Sequence, residues 1–282
     1  MKLLRLLIEE EAPATLPYTT EARWPAITIL PTRRTWELLY LLTLRDLKLR
    51  YQDTVFGLLW SLMKPLALGA VLYVALSQFV RLDVEDYQLV LLSALFPWVW
   101  FQTSALLATS SFAGNGALLK KVPFPRFVLP FSTILNSGFH FLLSIPVLII
   151  VLAIDGRHPN ATWIVGVPLL ATVQLALLMG LILITASIDV YFRDLEHLVE
   201  VFLSLLFYVT PIFYPLSLVP EKWQPVLKLN PLTSLIEAWR DLFMNNQLPG
   251  LDLWPALLFT AGALVAGALT FRRLEPGFAD AL

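Results

Sequence analysis

Cysteine is missing from all 282 residues, which removes disulfides, thiol catalysis and cysteine-ligated metals from consideration. Charge is scarce as well. Asp, Glu, Lys and Arg make up 15% of the chain, where soluble domains carry about 25%. No G-x-x-x-x-G-K-S/T run occurs, so the chain has no phosphate-binding loop of its own, and neither H-E-x-x-H nor G-x-S-x-G is present. The apolar stretches hold almost no ionisable groups: Lys64, Asp189 and Glu200 all fall near their ends. Carriers coupled to protons or ions keep such groups near the membrane midplane, and a membrane enzyme needs an acid, base or nucleophile facing a cavity. Neither set is visible. No internal repeat is apparent, which weakens an inverted-repeat carrier. If the chain moves a solute, its energy is expected from another polypeptide.

What is present is apolar surface. Hydrophobic residues fill 57% of the positions and come in long blocks, so the chain reads as an all-α integral membrane protein. Six spans of roughly 20 residues are predicted, over 60–80, 88–112, 127–154, 162–188, 198–215 and 251–271. Lys and Arg set the orientation. With the N-terminus inside, fourteen of them face the cytoplasm, among them Arg45, Lys48, Arg50, Lys120, Lys121, Arg126, Arg272 and Arg273. Five lie outside: Arg81, Arg157, Lys222, Lys228 and Arg240. Both termini are therefore expected in the cytoplasm. The opening MKLLRLLIEEE has a short apolar core that runs into three acids, so it is not expected to be a cleavable signal, and residues 1–30 read as a cytoplasmic arm.

Residues 31–66 organise the rest. A helix over 33–52 has Trp36, Leu39, Tyr40, Thr43 and Leu47 on one face and Glu37, Arg45, Lys48 and Gln52 on another, a pattern suited to the headgroup layer. The chain then turns at Gly57 and Lys64-Pro65 into its first span. The second span carries FPWVWF at 96–101, with Trp98, Trp100 and Phe101 beside a proline. Such rings serve equally well as core packing with an interfacial belt, or as the lining of a path for a bulky solute. The loop at 113–130, AGNGALLKKVPFPRFVLP, is basic and bounded by Pro123 and Pro125, a knob able to dock on a partner or simply a positive inner loop. His140 reads as a packed or hydrogen-bonded histidine and His158 as a turn residue. After the fifth span, prolines at 211, 215, 220, 225 and 231 break the helix. Asn230 is a natural N-cap with Pro231 at the first helical position. The stripe Leu232, Leu235, Ile236, Trp239, Leu242 and Phe243 then has helical spacing. These short pieces either cap the membrane or dip back into it.

The chain resembles the membrane subunit of ABC-2 type exporters, in the branch that exports O-antigen, capsule and teichoic acid. The residues that carry the likeness are RDLKLRYQDTVFGLLWSLMKPL, NGALLKKVPFPRFVLP, YFRDLEH, TPIFYPLSLVP and FRRLEPGFAD, in that order across about 31–280. The resemblance implies a homodimer of six-span permeases paired with two copies of a separate ATP-binding subunit, which would bind ATP and magnesium. This chain would hold neither cofactor nor metal and would not be an enzyme. Asn115, Leu118, Leu119, Lys120, Lys121, Phe124 and Arg126 match the loop that couples to the ATPase. Trp36, Arg45, Lys48 and Arg50 match the interface helix, and Pro211, Tyr214, Pro215, Trp223 and Trp239 the outer gate. Trp98, Trp100, Phe101, Phe207, Tyr208 and Phe213 are candidates for a path on which sugar rings slide. The cargo expected is a lipid-linked polysaccharide crossing the cytoplasmic membrane. The alternatives are a small amphiphile or drug on the same fold, or an ATP-independent carrier or channel.

Overall fold

A computed structural model describes residues 33–51, 59–121 and 124–282. The expected arm at 1–30 and the side chains of Arg50 and Lys121 lie outside the described residues. Helices supply all the regular structure among those described. Helix α1 is Arg33–Tyr51. Helix α2, Leu59–Tyr73, continues into a wider π-helical turn, Val74–Phe79. Then come α3 (Tyr87–Thr109), the short α4 (Ser111–Gly114) and α5 (Gly116–Lys121), and the long α6 (Val128–Ile154) and α7 (Thr162–Asp189). Helix α8 is Leu195–Val209, α9 is Gln224–Lys228 and α10 is Pro231–Asn245. Helix α11, Trp254–Leu274, and α12, Phe278–Ala281, close the chain.

Among the described residues, five helical stretches are long and apolar enough to cross a membrane: Leu59–Phe79, Tyr87–Thr109, Val128–Ile154, Thr162–Asp189 and Leu251–Ala281. They match five of the expected spans to within a few residues at most ends. The other expected span, 198–215, differs. Its helix α8 has 15 residues, about 22 Å at 1.5 Å per residue, against about 30 Å of hydrocarbon. It stops because Thr210 turns extended and Pro211 has no N–H to continue the ladder.

The bundle is unevenly bound together. Helices α7 and α11 make the most extensive contact, α3 packs on α6, and α10 lies against α3, α7 and α11. The α7–α11 seam depends on glycine. A Cβ at Gly180 would sit 2.6 Å from the backbone of Ala263 and Leu264, and one at Gly267 would fall onto the Gly180 carbonyl oxygen. Small residues at such a seam let two helix backbones touch, which replaces the missing hydrophobic drive between helices in lipid. By contrast, only Pro65 and Gly69 of α2 are buried, and only Leu203 of α8.

One end of the bundle is sewn together by polar groups. Arg157 pairs with Asp86 and reaches the Met244 carbonyl at 3.4 Å, while Gln88 donates to Asp155 at 2.9 Å. Asn246 donates to the His158 carbonyl at 3.2 Å; the turn itself falls at Asp155-Gly156, and His158 lies in the irregular stretch after it. His140, on α6, faces the Asn136 amide oxygen at 3.2 Å.

Candidate functional site

Three groups of predicted residues can be placed. At the end opposite the Arg157 loops, α5 carries the expected knob. Asn115 donates to the Ser111 carbonyl at 2.9 Å and fixes the α4–α5 corner. Leu119 is buried, Leu118 is half-buried and Lys120 points out. Arg126 turns inward. It donates to the Glu275 carbonyl and lies 5.7 Å over the Phe278 ring. Phe278 is fully buried among Phe112, Phe271 and Tyr191, with centroids 5.0–6.3 Å away. Tyr191, from the turn between α7 and α8, donates to the Leu274 carbonyl at 2.9 Å. The last residues are thus a packed plug that joins the basic loop, the α7–α8 turn and the end of α11. Phe124 is half-buried, and Lys120 is the described cation of the loop that faces outward.

Helix α1 packs on α6 through Thr35, Leu39 and Leu42. The face expected from the sequence is therefore split. Leu39 faces the protein, while Trp36 is 54% exposed and Tyr40 is exposed beside it. A Trp facing outward on a helix of this kind suits the membrane–water boundary. Arg45 pairs with Asp46 at 2.8 Å and Lys48 is exposed.

The third group surrounds the elbow that follows α8. Helix α10 forms as its sequence dictates: Asn230 accepts from the Leu232 N–H at 3.0 Å, and the six apolar residues of its stripe are all buried. Its position was not foreseeable. Trp239 is fully buried and donates to Gln174 at 2.9 Å. Gln174 lies twelve residues into α7, about 18 Å along that helix from Thr162. The other end of the same amide donates to the Pro97 carbonyl at 2.9 Å, so Gln174 bridges the proline-bearing turn of α3 to α10.

The rings separate into two sets. Trp98, Phe101, Phe207, Tyr208, Phe213 and Tyr214 form a chain with neighbouring centroids 5.0–6.0 Å apart. Trp100 belongs elsewhere. It points to the opposite side of α3, stacks on Phe141 at 5.1 Å and continues through Trp239, Phe243 and Trp163 as core. Trp98 and Phe101 are buried at the root of the first set, and Tyr208, 66% exposed, is its open edge. Within this chain the accessible rings are Tyr208 with the half-buried Phe207, Phe213 and Tyr214. Of the other residues expected at a gate, Pro211 is buried, Pro215 half-buried, and Trp223 stands exposed with Lys222 over its ring at 5.8 Å.

Sequence reasoning missed several residues here. Gln174 is the one amide within the apolar run of α7, and that oddity was its signal. Arg240, expected only as a charge on the outer side, is 5% exposed on α10. It pairs with Glu237, and its Nη2 donates to the Pro211 carbonyl at 2.7 Å and the Ile212 carbonyl at 3.3 Å. Tyr87 donates to the Phe213 carbonyl at 2.7 Å, and Asn230 to the Thr210 hydroxyl at 3.0 Å. A charged side chain placed this deep reads as functional by default, because burial without need is costly.

Comparison with known proteins finds similarity along most of the chain. A family model described as ABC-2 type transporter matches residues 37–244. An O-antigen export system permease protein RfbA of Klebsiella pneumoniae is 38% identical over 249 residues, covering 88% of this chain and 95% of the relative. The protein of the same name in Myxococcus xanthus is 34% identical over 252 residues, 87% of this chain and 95% of its own length. The polysialic acid transport protein KpsM of Escherichia coli is 24% identical over 241 residues, 83% and 92% respectively.

Proposed function

The chain belongs to the ABC-2 type transporter family, and from that membership we propose that it is the permease subunit of an ATP-driven exporter of a lipid-linked polysaccharide. It is a transporter component and not itself a catalyst. The observation that carries the cargo is the similarity along nearly its whole length to O-antigen permeases, with a polysialic acid transport protein as a more distant relative. The ring chain from Trp98 to Tyr214 supports it physically. Rings offer broad, weakly binding faces, and a polymer that must slide is served by many weak contacts better than by one tight site.

Particular features support the finer parts of the proposal. The basic loop at 113–126 lies inside, by the excess of Lys and Arg on that end, and is the contact for an ATP-binding subunit that holds ATP and magnesium. Both termini lie on that side of the cytoplasmic membrane. Helix α8 together with the elbow to residue 215 makes a sixth, broken crossing. Helix α10, seated against the middle of α7 at Gln174, is a re-entrant gate element rather than a flat cap. The outward-facing apolar sides of α2 and α8 suit a second copy of the chain across a shared path.

The test is export and assembly measured together. In cells relying on this permease, replacing Lys120 and Lys121 with Glu is expected to release the ATP-binding subunit on purification and abolish surface polysaccharide. A permease that keeps its partner and its export after both replacements ends this assignment of the loop. Surface polysaccharide that persists in cells lacking the chain ends the assignment of the cargo.

A further inference from the structure

The geometry points to Arg240 as the positioning residue that fixes the α8 elbow, and through it the ring chain, at the exit side of the path. The inference rests on the glycan-permease reading for its functional consequence and on the hydrogen bonds alone for its physical one. A helix end leaves up to four carbonyls without partners, and a bilayer offers no water to satisfy them. At this elbow the main-chain groups are taken up one after another. The Thr210 carbonyl accepts from the Ile212 N–H at 2.7 Å. The Pro211 and Ile212 carbonyls go to Arg240 Nη2, and the Phe213 carbonyl to the Tyr87 hydroxyl. The Tyr214 hydroxyl returns to the Tyr208 and Val209 carbonyls at 3.3 Å.

Arg240 is the member with the widest reach. Its Nε faces the Val90 carbonyl on α3 at 3.4 Å, Nη1 is paired with Glu237 on its own helix, and Nη2 holds the elbow. One planar group therefore locks three elements together: α3, α10 and the elbow. A guanidinium presents several donors in a fixed fork, whereas an ammonium is a single compact charge on a flexible stem, so lysine cannot hold the same set. What the lock positions is specific. Phe213 and Tyr214 sit on the held segment, and Phe207 and Tyr208 sit on the last turn before it. Releasing the elbow moves the accessible half of the ring chain away from Trp98 and Phe101, which stay fixed in the core.

Because the chain has no cysteine, a single one can be introduced as a clean probe. Ile212 is fully buried, so Ile212→Cys in the assembled permease–ATPase complex in intact cells is expected to resist a membrane-impermeant maleimide added outside. With Arg240→Lys or Arg240→Met added, labelling is expected to quicken at least tenfold. In the background with native Ile212, surface polysaccharide falls at least tenfold while subunit recovery and cargo-independent ATPase activity stay within twofold. Unchanged labelling overturns the lock. Loss of export that merely tracks loss of complex overturns the positioning role and leaves a structural one. If neither Arg240 variant assembles, Tyr87→Phe removes one tether without touching a charge; it should raise labelling at position 212 by several-fold, and no change overturns the inference. Should the wild-type complex export no glycan at all, the cargo reading fails while the labelling result still decides the lock.

Discussion

Replacing Gly180 with Ala adds one methyl group where the backbone of α11 leaves no room. The new Cβ would lie 2.6 Å from Ala263 and Leu264 main-chain atoms, while ordinary contact begins near 3.4 Å. Backbone cannot rotate away as a side-chain tip can, so the two helices must part by about 0.8 Å, the difference between those distances. A radial gap of about 0.5–1 Å forfeits a quarter to a half of each dispersion contact along the seam. Overpacking of this kind costs about 1–3 kcal/mol, roughly 5- to 150-fold in the ratio of folded to unfolded protein. Gly262, on the same helix α11, provides the control. A Cβ there meets nothing within 4 Å, so Gly262→Ala should be neutral or slightly stabilising. The assay is the unfolding midpoint of the purified permease in detergent, by SDS titration or heating. Gly267→Ala should match Gly180→Ala, and the double variant should cost less than the sum, because helices already parted leave room for the second methyl. Equal midpoints for Gly180→Ala and Gly262→Ala would refute the close-approach argument.

Gln174→Leu breaks both amide bridges and strands the Trp239 indole N–H; a loss of about 1 kcal/mol is expected in the same unfolding assay, with Gln174→Glu keeping an acceptor for Trp239 and costing less of that contact. Asn230→Ala removes the cap of α10 and the tie to Thr210, costing about 1 kcal/mol, and Asn230→Asp should recover the cap part, as read by the same midpoints. Phe278→Ala empties the plug under Arg126 and should cost about 3–5 kcal/mol, with less ATPase subunit recovered on purification even though Lys120 and Lys121 are intact.

Much of the fold was legible because membrane burial writes itself into local runs. The ends of α6 and α7 and the start of α10 at Asn230-Pro231 followed from hydropathy length and capping chemistry. Tertiary pairing was less legible. A two-residue step on a helix turns by about 200°, so the FPWVWF run already put Trp98 and Trp100 on opposite sides; what it could not supply was the partners of each side, Phe207 and Phe141, which lie far along the chain. Arg126 looked like a docking cation, yet its partner is a backbone carbonyl at Glu275, and carbonyls leave no mark in a sequence. Arg240 was counted only as an outer charge, and its burial was missed for the same reason. Its acceptors at Val90, Pro211 and Ile212 are main-chain oxygens that exist as a set only once the elbow forms.

The glycine seam also determines which parts of the subunit are free to shift. Helices α7 and α11 meet at backbone contact, so any sliding or tilting between them meets repulsion at once. Helices α2 and α8 bury three residues between them and lose little when they lean. Where the proposed path runs beside α2 and α8, threads of differing girth would meet two loosely anchored walls, next to a pair whose spacing is set by backbone contact.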